Sequence, residues 1–456
     1  MKVFYEDKLT AMKFLFYIRD REEGLGERRI FRVIIKELAN VEPDIIKAVA
    51  PIMAEYGRYD DLLELFGTGI EEYIIMETLG KQINEDAENY SKGKPISLLA
   101  KWLPSINASS EIQKERAKKI LKYSGLSEKE YRKMISALRK YIDVTERKMC
   151  ANEWDQIKYE NVPSRANLNY NNAFLRHDER RRRSFLERVQ KGETKINAGK
   201  LYPHDIVNKY SKNGWYSLDR IDDTLEELWK ALPKKEIANT LVVADGSGSM
   251  TSCIGKTNIR CLDVANGLAI YFAEHNKGEF NNTYITFSER PQIVRFNGNA
   301  SLHDKIAQSR LHNEVANTNI EAVFDLILTT GIINNLSQED MPKNILIISD
   351  MEFDSCVCSN SSRPRGLQPK LFKTIEEKYK RAGFKLPRLV FWNVCSRTGT
   401  IPLKENELGV ALVSGFSTNI ADMVMSDKLD PLEALLDKLS TKRYEKISEI
   451  LGNILK

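Results

Sequence analysis

From Ile237 onward the chain alternates short apolar runs with stretches of helical periodicity, and this alternation restricts the fold more than any other feature. The runs are IANTLVVA (237–244), NNTYITFS (281–288), PQIVRFN (291–297), KNILIISD (343–350), KLPRLVFWNVC (385–395) and GVALVSGF (409–416). Between them lie IRCLDVANGLAIYFAEHN and NIEAVFDLILTTGII, which read as helices. Strands separated by helices predict an α/β domain with a mostly parallel sheet. DPLEALLDKL and KRYEKISEILGNILK supply closing helices.

The preceding half has a different texture. KLTAMKFLFYIRD repeats Leu9, Met12, Leu15 and Phe16 at helical spacing, and RRIFRVIIKELA repeats the pattern. EPDIIKAVAPIMAEYG stops at Gly57. Tyr131, Met134, Ile135, Leu138, Tyr141 and Ile142 form one stripe with Lys and Arg opposite. No strict repeat is present, but short amphipathic helices in series predict a HEAT-like stack in which each pair hides its apolar face on the next. The expected fold class is therefore α + α/β: an N-terminal HEAT-like all-helical repeat domain over 1–235 and a C-terminal Rossmann-like domain over 236–456. Within the first, 152–212 is rich in Asn, Arg, Lys and Tyr and reads as an irregular basic excursion with short helices on the rim of the helical domain.

Composition narrows the class. A chain of 456 residues is long for one core, and 42% apolar with 29% charged residues suits a globular protein. No apolar run approaches the roughly 18 residues that span a bilayer, so no membrane partner is expected. The N-terminus carries acids before its apolar stretch and lacks a small-residue cleavage site, which argues against a signal peptide. Six scattered cysteines (150, 253, 261, 356, 358, 395) suit a reducing, cytoplasmic location rather than a disulfide framework. The net charge of +5 is unevenly spread. Residues 1–100 carry net −5 and 201–456 net −1, whereas 101–200 hold 24 basic and 13 acidic side chains, net +11. A basic block in a nearly neutral chain attracts polyanions.

The first strand runs into DGSGS. Ligands gather at the carboxyl ends of strands in open parallel sheets, and alternation on a turn can point Asp245, Ser247 and Ser249 into one cup of oxygens. Thr318, before a helix in ANTNIEAVF, and Asp350, ending ILIISD, can complete it. Hard oxygens with one or two carboxylates suit Mg²⁺ or another divalent cation. A nucleophile elbow needs Gly two residues either side of Ser, and a P-loop needs Lys followed by Ser or Thr; neither is present. A haloacid-type phosphatase is the closest enzymatic rival, with Asp350, Glu352 and Asp354 as its later acids, but the second position of its D-x-D is Ser247 here.

This constellation resembles the metal-ion-dependent adhesion site of von Willebrand factor A domains. The resemblance implies that Asp245, Ser247, Ser249, Thr318 and Asp350 hold the cation, whose open position takes a carboxylate from a partner protein. Gly246 departs from the more usual apolar residue, which loosens the turn without removing a ligand. Helical repeats followed by such a domain resemble the TROVE-domain, Ro-type RNA-binding family, and in particular an uncharacterised branch found in plants, fungi, bacteria and large viruses. The stretches that carry this resemblance are YGRYDDLLEL (56–65), LLAKWLPS (98–105), YNNAFLRHD (170–178), INAGKLYPHDIV (196–207), VVADGSGSM and ISDMEFD (348–354). It implies a non-enzymatic ribonucleoprotein scaffold, a ring of HEAT-like helices closed by the A domain, with structured small RNA on the outer face and single-stranded ends in the hole.

The basic block supplies phosphate-binding candidates: Lys118, Lys119, Lys122, Arg132, Lys133, Arg139, Lys140, Arg147, Lys148, Arg176, His177, Arg180, Arg181, Arg182 and Arg183. Trp154, Tyr159, Tyr170 and Phe174 interleave with them as stacking platforms. A protein–protein adaptor without nucleic acid is the alternative. Cys356 and Cys358 lack a second ligand pair and read as idle thiols rather than a zinc site. His204 reads as a helix-start, cap-like residue and Trp102 as a core or inter-repeat aromatic. Glu352 and Asp354 either orient the metal's waters or face solvent.

Overall fold

The computed structural model describes residues 2–211, 218, 220–234, 239–255, 257–312, 319–350, 369–395, 410–415, 431–452 and 454–455. Packing divides the chain into two compact units, Met1–Lys158 with Leu435–Lys456, and Tyr159–Ala434.

The first unit is helical. Lys8–Arg19, Arg28–Val41 and Pro43–Val49 bury Met12, Phe16, Phe31, Ile35 and Ile46 against one another. The C-terminal helix Lys442–Leu451 packs among them. Buried Asp20 accepts two bonds from the Arg443 guanidinium, each 3.0 Å, and one from Tyr444 Oη at 3.1 Å. Tyr56 stacks on Tyr444 and donates to the Arg443 carbonyl. The YGRYDD stretch has a structural task here. Asp61, fully buried, accepts from Arg19 at 2.8 Å, Arg32 at 2.6 Å and the Arg58 amide at 3.0 Å. A Cβ on Gly57 would lie 2.3 Å from the Asp61 carboxylate, so only glycine admits this knot. Arg58 lies 4.2 Å from the centre of the Trp102 ring, so Trp102 is a half-buried cation–π partner.

The second unit is built on a six-stranded sheet: β1 (Thr240–Asp245), β2 (Thr283–Phe287), β3 (Ile293–Arg295), β4 (Asn344–Ser349), β5 (Arg388–Asn393) and β6 (Val410–Ser414). Their order is β3-β2-β1-β4-β5-β6. All neighbours are parallel except β2 and β3, an antiparallel edge pair. The fold class is thus α + α/β. Alternation sends Leu241, Val243, Ile285, Ile345, Ile347, Leu389 and Phe391 into one core with helix Ile320–Ile333 and with Phe372 and Ile375 of helix Pro369–Arg381. On the opposite face lies helix Cys261–His275, whose Phe272 meets Trp392 edge-on.

The sequence reading and the packing differ over 159–235. The described residues of this stretch belong to the compact unit that contains the sheet. Within the expected excursion over 152–212, Ser164–His177 and Glu179–Gln190 are full helices and Pro203–Tyr210 is a short one, and Asp223–Lys230 follows. Their inward faces mix apolar residues such as Phe174, Phe185, Val207 and Leu228 with Asn167, Asn171, Arg182, His204 and Glu226, which interrupts the apolar stripes. Gly267 lets Cys261–His275 approach Pro203–Tyr210: a Cβ there would lie 3.0 Å from the His204 amide nitrogen. His204 is buried and stacked on Tyr202, while the cap is made by Asp205, which accepts from the Tyr202 amide at 2.9 Å. Helix Leu302–Leu311 was not foreseen either, because it offers few apolar positions.

Candidate metal cup and basic surface

β1 and β4 run parallel with Ala244 opposite Ile348, so both apolar strands deliver their terminal polar residues to one carboxyl edge. Asp245 and Asp350 are both almost wholly buried there, at 3% and 1% exposure. Ser349 Oγ donates to Asp245 Oδ2 at 2.6 Å, and the Ser247 amide donates to Oδ1 at 2.9 Å. Ser247 Oγ and Ser249 Oγ lie 3.0 Å apart. Burial pushes the Asp245 carboxyl up to about 6; bonds from Ser349 and Ser247 oppose the rise, and the nearby Asp350 charge adds to it. Four of the five expected ligands therefore gather at one edge. Thr318 lies outside the described residues, as do Glu352, Asp354, Cys356 and Cys358.

Two further oxygens belong to the same edge and were missed by sequence reasoning. Ser288 follows β2, Asn393 ends β5, and the strands they close flank β1 and β4. Ser288 Oγ and Asn393 Oδ1 are buried without a hydrogen-bond partner. Ser349 was missed as well. The available signal was that each apolar run closes on a polar residue: FS, ISD and WN. Orphaned oxygens around paired carboxylates fit a hard divalent cation, which oxygen donors satisfy. Among the described residues no group of three or more His, Cys, Asp or Glu gathers, so a zinc- or iron-type cluster is absent from them.

The fifteen basic candidates separate sharply. Lys118, Lys122, Arg132, Lys133 and Lys140 stand exposed on helices Glu111–Ser124 and Glu128–Tyr141, with no ion pair among the described residues. Arg176 and Arg180 do the same in the second unit. His177 is exposed beside them. Lys119 pairs with Glu71, Arg147 with Glu153, Arg181 with Asp178 and Arg183 with Glu179. Lys148 is a correction: it is buried against Asp143 and the Gln156 carbonyl. Arg139 is held by the carbonyls of Ala100 and Leu103 and by Ser105 Oγ, at 2.7–2.9 Å.

Arg182 is the largest correction. It is fully buried, bonded to Asn167 Oδ1 at 3.0 Å, with its guanidinium carbon 5.1–5.4 Å from the centres of Tyr159, Phe174 and Phe185. Burial lowers its pKa to about 10. Tyr159 and Phe174 are therefore walls of this cage rather than platforms for bases. Trp154 and Tyr170 remain half-exposed.

Fold and cup together define a class: a helical unit joined to a doubly covered, mostly parallel α/β unit with an oxygen-lined acidic cup at the carboxyl edge of its central strands. Comparison with known proteins places the chain beside poorly characterised relatives. A domain of unknown function, DUF7788, matches residues 239–449, and another, DUF2828, matches residues 72–240. The uncharacterized protein L728 of Acanthamoeba polyphaga mimivirus is 29% identical over 480 residues, covering 96% of this chain and 80% of that protein. Among solved structures, the Ro (RSR) protein of Deinococcus radiodurans aligns with a TM-score of 0.40 at 12% identity, over 89% of this chain and 93% of that one. No helix among the described residues is long and apolar enough to cross a membrane.

Proposed function

We propose that the protein is a non-catalytic RNA-binding scaffold of the TROVE type, with a HEAT-like helical unit that contacts RNA and a von Willebrand A-type unit that holds a divalent cation. The observation that carries the reading is the row Lys118, Lys122, Arg132, Lys133 and Lys140, exposed on two consecutive helices with no carboxylate partner among the described residues. Side chains that serve folding are paired or buried, as Lys148 and Arg182 are. Unpaired charge on this scale suits the regular negative charge of a phosphate backbone.

Asp245 and Asp350, with Ser247 and Ser249 and with Thr318 from the family pattern, would hold Mg²⁺. The bound cation would supply a hard Lewis acid with an open position for a carboxylate of a partner protein. Asp245 is engaged by Ser349 and by the Ser247 amide, which suits a ligand rather than a phosphatase nucleophile.

The test is binding of fluorescent single-stranded and hairpin RNA by anisotropy over a salt series. Affinity should fall steeply with salt, and the fivefold variant with Lys118, Lys122, Arg132, Lys133 and Lys140 changed to Gln should bind at least tenfold more weakly. Wild-type binding unaffected by salt, or an unchanged variant, overturns the RNA reading and leaves the protein-only adaptor.

A further inference from the structure

A cavity of about 310 Å³ opens in the helical unit beside the loop Ser105–Asn107. Its size is at the lower end of sites that take small molecules, enough for about one nucleotide and too small for a duplex. Three guanidiniums line it, those of Arg132, Arg139 and Arg147, and no acidic residue does. Their states differ in a way that matters. Arg132 is exposed and has no ion pair among the described residues. Arg139 is half-buried and bonded only to uncharged acceptors, so its positive charge is uncompensated; burial holds its pKa below the usual arginine value. A guanidinium has five N–H donors, and these three bonds leave two. Arg147 is neutralised by Glu153 through Nη2, but its Nε is buried without a hydrogen-bond partner.

The rest of the lining suits a nucleoside. Ile106, Tyr131 and Ile135 give an aliphatic and aromatic wall. The Tyr131 hydroxyl is spent on the Pro104 carbonyl at 2.9 Å, so the ring contributes an apolar surface. Asn107 and Ser136 offer small polar contacts at the wall. Two uncompensated positive charges match the double charge of a phosphate monoester better than the single charge of a diester.

We infer that this cavity binds the phosphate monoester of one nucleotide, in particular the terminal phosphate of a single-stranded RNA. The inference rests on the RNA reading above and adds to it a defined pocket and a preference for a phosphorylated end. The same chemistry occurs on free mononucleotides, so the experiment must separate the two sources.

Calorimetry and competition anisotropy on the full chain decide it, using uridine monophosphate, uridine, and a short single-stranded RNA carrying a 5′-phosphate, a 3′-phosphate or only hydroxyl ends. The expected result is that one phosphorylated end binds at least tenfold more tightly than the hydroxyl-ended strand. Arg132→Gln and Ser136→Glu, both at exposed positions, should abolish that difference and keep the wild-type melting temperature. Binding of uridine monophosphate as tight as that of the phosphorylated strand assigns the pocket to free nucleotides. Equal affinity for all three ends overturns the inference while leaving the RNA reading intact. Absence of binding by any strand overturns both.

Discussion

Two basic stretches of the chain use their charges differently. On Glu111–Ser124 and Glu128–Tyr141, Lys118, Lys122, Arg132, Lys133 and Lys140 point to solvent without acid partners among the described residues. On Glu179–Gln190, the four consecutive arginines divide the work differently. Arg182 enters an aromatic cage, Arg181 and Arg183 pair with Asp178 and Glu179, and only Arg180 resembles the first group. The denser charge run thus has fewer charges available to a ligand. What decides is whether neighbouring elements bring carboxylates and rings to the same place, not how many arginines adjoin.

This contrast can be broken or sharpened by mutation. The largest effect should come from Arg182→Ala. It strips the cage of its centre and leaves Asn167 Oδ1 without its buried donor, costing about 3 kcal/mol. Urea denaturation measures it, and a variant as stable as wild type would show that the cage is not structural. Next comes Asp245→Asn. Mg²⁺ at about 100 times its Kd should stabilise the wild type by about 2.7 kcal/mol and the variant not at all. In cation-free buffer the variant should be at least as stable as wild type, since it removes a buried acid beside Asp350. Melting curves with and without Mg²⁺ read both signs.

The fivefold neutralisation of the first stretch should then reduce the slope of log affinity against log salt by up to about 3.5, at roughly 0.7 per lost contact on a single strand. It should leave unfolding unchanged. The smallest effect belongs to Arg183→Gln, whose exposed partner is Glu179. Neither the melting temperature nor RNA affinity should move measurably. A drop in affinity there comparable to that of the first stretch would erase the distinction between the two regions.

The α/β unit was largely legible because each strand is an apolar run with its own boundary. All six strands lie where the runs place them, and Asp245 and Asp350 fall at strand ends in both readings. The orphaned oxygens of Ser288 and Asn393 were not legible. Nothing adjacent in the sequence says that their strands flank β1 and β4, and that fact depends on sheet order. The helices of 159–235 were hidden for a related reason. Their buried positions mix apolar residues with polar ones, and the place of the polar ones appears only once Arg182 has Tyr159, Phe174 and Phe185 around it and Glu226 has the Leu302 amide and Tyr210 hydroxyl within bonding distance.

By itself the sequence determined which segments are helices and strands in the apolar parts of the chain, and which acids sit at strand ends. Local hydrophobic period is a property of neighbours along the chain. The tertiary structure alone decided which charges are spent internally and which stay exposed. It also decided that the described residues of 159–235 belong to the unit that contains the sheet, that the last helix returns to the first, and that three arginines share one cavity. Those outcomes depend on contacts between residues far apart in the chain, where burial and partner geometry set the cost of every charge.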